Sequence, residues 1–194
     1  EITAGCARTD GVIVLALHIL EAMPEKYYMA NQFANEANWR SHYDTTAPEI
    51  VRDTKGEADL FVAGMGTTGT LMGCSRFFRE HNPRTKVAGI EPEPDHRIQG
   101  LKNMSESIVP EIFSPELLDY RFMCSDQDAF ETVRDLATRE GLFCGISSGA
   151  ALRGAMNAAR DLKRGSTVVV LFPDRGDRYL STETYRSVCA ICPP

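Results

Sequence analysis

The sequence has no apolar run long enough to cross a membrane. Its longest apolar stretch, Val12 to Leu20, is broken by His18 and falls far short of the ~20 residues a spanning helix needs. No basic segment followed by an apolar one opens it, so a secretory signal pattern is absent and a cytoplasmic protein is the expectation. There is no basic excess either. The net charge is −6 with no basic block, which argues against nucleic acid or an anionic membrane as a partner. Internal repeats and low-complexity tracts are also missing. What remains is 194 residues, 43% hydrophobic and 25% charged, a composition that belongs to globular proteins rather than disordered or fibrous ones. At about 150 residues per domain, that length predicts one large domain or one domain plus part of another.

The six cysteines (Cys6, Cys74, Cys124, Cys144, Cys189 and Cys192) are irregularly spaced. Free thiols in a reducing compartment are the expectation. Cys189 and Cys192 form one C-x-x-C. A zinc site needs a second such pair or a nearby histidine, and neither accompanies it.

Short apolar runs alternate with amphipathic stretches. Helices are expected at Gly11 to Ala22, at Thr46 to about Thr54, at Thr70 to His81, at Asp126 to Glu140 and at Ser147 to Arg164. Strands are expected at Tyr27 to Phe33, Leu60 to Ala63, Lys86 to Glu91 and Thr167 to Phe172, with Asn35 to Trp39 as loop. Pro92 to Phe113 reads as a long irregular segment with two short helical pieces, and a segment of that length is usually functional or mobile. Strands alternating with helices predict an α/β fold with a mostly parallel sheet.

Three segments could carry chemistry. Gly64-Met65-Gly66-Thr67-Thr68-Gly69-Thr70 follows an apolar strand and opens a helix. Glycines permit close backbone approach, amides at a helix N-terminus attract phosphate, and the threonine hydroxyls add donors. The same spacing fits the dinucleotide fingerprint, and Glu91 ends the next strand where a ribose-binding acid would sit. A nicotinamide-dependent enzyme is therefore open at this point, as is a plain turn. Gly145-Ile146-Ser147-Ser148-Gly149 matches the nucleophile elbow G-x-S-x-G. That chemistry needs a histidine after the serine in chain order, and His18, His42, His81 and His96 all precede it. Ser147 or Ser148 could instead cap the helix or present a hydroxyl to a ligand. Pro173-Asp174-Arg175-Gly176-Asp177-Arg178-Tyr179 follows the last strand. Ligand crevices lie at such carboxyl ends, although a charged loop is as often merely solvated.

In combination these segments resemble the pyridoxal-phosphate-dependent cysteine synthase family. Asn31-Gln32-Phe33-Ala34-Asn35 with Ala37-Asn38 is similar to its Q-F-x-N-x-x-N motif, and Thr45 to Glu49 to its T-T-G-P-E, with Ala47 replacing glycine. Gly66 to Thr70 is similar to its phosphate loop, Gly145 to Gly149 to its G-I-S-S-G, and Asp177 to Thr182 to its closing D-R-Y-L-S-T. Thr68 within Met65 to Thr70, and the stretches Gln99 to Asn103 and Val109 to Phe113, resemble the B-type branch and its O-phosphoserine-using relatives.

The resemblance implies a three-layer, tryptophan-synthase-β-like fold of type II. It implies that Gly66, Thr67, Thr68, Gly69 and Thr70 hold the cofactor phosphate, and that Ser147 hydrogen-bonds the pyridine nitrogen. A neutral hydroxyl there leaves the ring a weaker electron sink, which suits elimination and replacement at the β-carbon. Pro173 and Asp174 would flank the ring edge. Gln32 and Gly100 would lie near the substrate, and Lys102 would face the leaving group or sulfur donor. The implied reaction forms L-cysteine from an O-activated serine and a sulfur donor. The implied assembly is a homodimer. A diaminopropionate-type synthase and a serine/threonine dehydratase share the fold and remain alternatives.

The family's Schiff-base lysine sits in an S-x-K segment with an S-G-N-T-G loop after it, and this sequence contains neither. Lys26, Lys55, Lys86, Lys102 and Lys163 match no such segment. The expectation is that 1–34 are the remnant of an N-terminal domain and 35–194 most of a C-terminal, phosphate-binding domain. A stretch without that lysine would be inactive alone.

Overall fold

The computed structural model describes residues 8–185. The elements run α1 (Arg8–Ala22), α2 (Ala37–Ser41), a π-helical turn (His42–Thr46), α3 (Ala47–Asp53), β1 (Ala58–Gly64), α4 (Gly69–His81), β2 (Lys86–Pro92), β3 (Tyr120–Cys124), α5 (Asp126–Arg139), α6 (Ile146–Ala158) and β4 (Thr167–Val170). The four strands lie in the order β3-β2-β1-β4 and every pairing is parallel. Parallel strands covered on both faces are apolar throughout, and Leu60 to Ala63 in the central β1 is such a run, fully buried.

The two faces of β1 divide the core. Leu60 and Val62, with Ala88 and Ile90 of β2, pack against Ala129 and Phe130 of α5 and Ala150 and Ala155 of α6. Phe61 and Ala63, with Val87, pack against Leu71, Met72, Cys74 and Phe78 of α4 and Ala47 of α3. Helix, sheet and helix thus form the three expected layers. α5 starts where Ser125 caps it, its hydroxyl accepting the Asp128 amide at 3.2 Å.

Several local expectations are corrected. Tyr27 to Phe33 is not a strand, because among the described residues no strand lies beside it to complete the ladder. The segment turns at Asn31, whose φ is +45° and whose carbonyl accepts the amides of Ala34 and Asn35. Asn35 to Trp39 is not all loop, since α2 begins at Ala37. β3 had no sequence signal: its five residues are mostly exposed, and pairing with Ala88 to Pro92 is what makes it a strand. The segment between β2 and Phe113 contains no helix among the described residues. Its polar groups are taken by distant partners instead, with Lys102 N donating to Met65 O at 2.7 Å and Asn103 Nδ2 to Pro92 O at 2.8 Å. Cys74, Cys124 and Cys144 are free and buried. Cys6 and the Cys189/Cys192 pair lie outside the described residues.

The contact between α5 and α6 leaves no space at Gly149. A β-carbon there would come within 2.2 Å of the Ala129 carbonyl oxygen, which is backbone and cannot rotate away. Gly149→Ala should lower the unfolding free energy by about 1–3 kcal/mol, the cost of overpacking. A urea titration checks this, with the surface change Met156→Ala expected to be nearly silent.

Candidate functional site

The carboxyl ends of β1 and β4 open into a cavity of about 460 Å³. Its floor is the turn from β1 into α4. Thr68 occupies the position before α4 with φ +69° and ψ 0°, a left-handed conformation that a β-branched residue rarely adopts. Its side chain is buried, and Oγ1 has no hydrogen-bond partner. A strained residue costs roughly 1–3 kcal/mol and persists where its surroundings overdetermine it.

Those surroundings come from α2. Asn38 Nδ2 donates to Thr67 Oγ1 at 3.1 Å and to the Gln32 carbonyl at 2.6 Å. Its Oδ1 lies so close over Gly69 that a β-carbon there would be 1.9 Å away. The π-helical turn holds the next hydroxyl: His42 Nε2 is 3.2 Å from Thr70 Oγ1, and its Nδ1 is 2.9 Å from Thr46 Oγ1. Burial lowers the His42 pKa below its usual value of 6.5. Neutral imidazole then offers one donor and one acceptor to the two threonines. Both ring nitrogens being engaged this way, His42 does not serve Ser147 as a base.

A second helix N-terminus meets the same cavity. α6 begins at Ile146 after Gly145, so Ser147 is its second residue and neither serine is the cap. This corrects the capping alternative. Ser147 lines the cavity, whereas Ser148 Oγ is fully buried without a partner. Asp174, after β4, accepts the Tyr179 hydroxyl on Oδ2 at 2.7 Å, while its Oδ1 is unpartnered and abuts Gly145. Burial, and then the Asp174 carboxylate, push the Tyr179 phenol up to about 12. Burial also raises the neighbouring Cys144 thiol, which keeps it protonated and poorly nucleophilic.

The third wall comes from the long β2–β3 connection. Gln99, Gly100, Leu101 and Lys102 line it. Lys102 is buried, with Nζ 2.6 Å from Asp10 Oδ1 and 5.1 Å from the centre of the Phe33 ring. The structure therefore brings the predicted residues Gly66, Thr67, Thr68, Gly69, Thr70, Ser147, Pro173, Asp174, Gln32, Gly100 and Lys102 to one cavity. Glu91 is elsewhere. Its buried carboxylate pairs with Arg121 at 2.6 Å and accepts the Met104 amide at 3.2 Å. It therefore cannot serve as the free ribose-binding acid of the dinucleotide reading, which is corrected. Sequence reasoning gave no role to Asn38, His42, Tyr179 or Asp10. The N-x-x-N spacing contained Asn38, but nothing local signals partners that lie far along the chain.

Residues 7–174 match the sequence profile of a family described as pyridoxal-phosphate dependent enzyme. A cysteine synthase of Aquifex aeolicus is 41% identical over 181 residues, which cover 91% of this chain and 55% of that protein. Cysteine synthase B of Salmonella typhimurium is 43% identical over 176 residues, covering 91% and 57% respectively. Among solved structures, an O-acetylserine dependent cystathionine beta-synthase from Helicobacter pylori superposes with a TM-score of 0.87 at 35% identity. That superposition covers 95% of this chain and 62% of the other. The chain spans about half the length of the curated relatives it matches.

The His42 bridge carries a pH signature. The unfolded chain protonates this imidazole near 6.5, while the folded state disfavours the charged form. Below that pH the unfolded state binds more protons, so His42 adds stability above pH 6.5 that is lost as the pH falls. Unfolding free energies from urea titrations between pH 7.5 and 5 should decline in the native protein, and His42→Gln should flatten that part of the decline. Parallel curves for the two proteins would contradict it.

Proposed function

The chain belongs to the family of pyridoxal-phosphate dependent enzymes, and from that premise we propose that it is the phosphate-binding part of a cysteine synthase. The enzyme would form L-cysteine from an O-activated L-serine and a sulfur donor. The observation that carries this reading is the β1–α4 turn. Thr68 is strained there with a buried, unpartnered hydroxyl, beside amides that α4 leaves free. A phosphate monoester supplies the acceptor oxygens that such a cradle lacks. A cavity of about 460 Å³ lined by this turn and by Ser147 supports a phosphorylated cofactor of that kind.

Gly66, Thr67, Thr68, Gly69 and Thr70 would hold the phosphate, with Asn38 and His42 fixing the hydroxyls of Thr67 and Thr70. Ser147 would meet the pyridine nitrogen with a neutral hydroxyl, and Pro173 and Asp174 would border the ring. When bound, the cofactor supplies the electron sink for breaking bonds at the α- and β-carbons of an amino acid. The protein's own part is to orient the substrate. Gln32 and Gly100 would bound the amino-acid end, and Lys102 would face the leaving group or donor. Tyr179 holds Asp174 in place at the cavity edge, its phenol un-ionised at neutral pH. The name of the Helicobacter pylori neighbour specifies O-acetylserine, which supports an activated serine as the substrate. A cystathionine-forming neighbour beside two cysteine synthases leaves the nucleophile as the variable.

Residues 1–34 would close a first domain and 35–194 form a second, in line with the half-length match to the relatives. The Schiff-base lysine would belong to the half not spanned here, and the intact enzyme would be a homodimer. No helix among the described residues is long and apolar enough to cross a membrane, and the enzyme would act in the cytoplasm on small molecules.

The test is to express the reading frame upstream of Glu1 together with this segment. Formation of cysteine from O-acetylserine or O-phosphoserine with sulfide, or of S-sulfocysteine with thiosulfate, is expected, along with the visible absorbance of bound cofactor. Nicotinamide binding without that absorbance would overturn the reading. In the same protein, Lys102→Ala should raise KM for O-phosphoserine by about ten- to a hundredfold, the size of a charge-assisted contact, and change KM for O-acetylserine little. Equal effects on both would remove Lys102 from the leaving-group site.

A further inference from the structure

Lys102 stands at the cavity wall with its charge already engaged. Its side chain is only 9% exposed, and an ammonium so placed needs a countercharge. Asp10 supplies it from the first turn of α1, 92 positions away in sequence. One carboxylate oxygen is 2.6 Å from Nζ, and the other accepts the Ile108 amide at 2.9 Å. The same carboxylate therefore fixes the cation and fastens the loop that follows it. Asp10 does not itself line the cavity. It stands behind Lys102, while Phe33 offers its ring from a third side.

Taking Lys102 as the residue that faces the leaving group, we propose that Asp10 is the positioning residue of an anion subsite. It sets how much of the Lys102 charge reaches the cavity. An anionic substituent on the substrate, such as a phosphate ester, shares or takes over the ammonium from Asp10. An uncharged ester cannot, and leaves the pair closed. The choice between anionic and neutral leaving groups is thus set by two residues from distant parts of the chain.

The roles separate in a double-mutant cycle. Asp10→Asn removes the charge and keeps one acceptor oxygen for the ammonium, while its NH2 group cannot accept the Ile108 N–H. The buried ammonium then takes its countercharge from the ligand. Inorganic phosphate titrated calorimetrically into the protein expressed with its upstream reading frame should bind about tenfold tighter in Asp10→Asn than in the native protein. The gain should vanish when Lys102→Ala is added. Phosphate bound by the Gly66–Thr70 turn contributes equally to all four proteins and drops out of the comparison. Equal affinity in native and Asp10→Asn protein, or a gain that persists without Lys102, overturns the proposal. Circular dichroism verifies folding, and Asp10→Ser carries the same expectation should Asp10→Asn fail to fold. Phosphate affinity is read without turnover. Loss of the gain with cysteine formation intact would overturn the role of Asp10 alone. A retained gain with no cysteine formation would overturn the activity alone.

Discussion

The turn between β1 and α4 is the constraint on which the rest of the site depends. The chain must leave a largely buried strand and enter a helix whose first turns are largely buried within a few residues, and it does so by placing Thr68 in a left-handed conformation. A short reversal of this kind points successive amides and hydroxyls into one concavity, which is what binding an anion requires. It is stable only because other parts of the chain press on it. Asn38 sits over Gly69 and ties Thr67 to the Gln32 carbonyl, and His42 ties Thr70 to Thr46. The small α2 segment and its π-helical continuation thus form a brace for the loop.

The sheet determines where the other walls come from. With β1 central and β2 and β4 on either side, the segments following β2 and β4 both emerge beside the β1–α4 turn. The Met65 carbonyl accepts the Lys102 amide and the Met65 amide donates to Ile90, so the long connection is stitched to the turn along its edge. Asn103 and the Glu91–Arg121 pair hold the next residues. The segment has no regular structure, yet its polar groups are satisfied by fixed partners. A loop of that kind can define one side of a binding cavity.

The sequence disclosed the strongly patterned elements. α4 and α5 start and stop within one residue of expectation and α6 starts within one, because helical periodicity is local, but α6 ends at Ala158 rather than at the expected Arg164. β1 and β2 were legible because continuous apolar runs are what doubly covered parallel strands require. β3 was not, since an exposed edge strand has no burial pattern to read. Tyr27 to Phe33 has the aromatic composition of a strand, but a strand exists only where a neighbour completes its ladder.

At the cavity, composition and spacing alone identified the glycine- and threonine-rich turn, the serine at the start of α6 and the charged segment after β4. They could not separate a phosphate cradle from a dinucleotide fingerprint. Tertiary structure removed the free acid that the second reading needs by burying Glu91 against Arg121. It also decided that Asn38 reaches Thr67, His42 reaches Thr70 and Asp10 reaches Lys102. The physical reason is the same in each case. Backbone conformation follows from interactions within a few residues, whereas the partner of a buried polar group is whichever one the order of strands and the packing of helices bring within hydrogen-bonding distance.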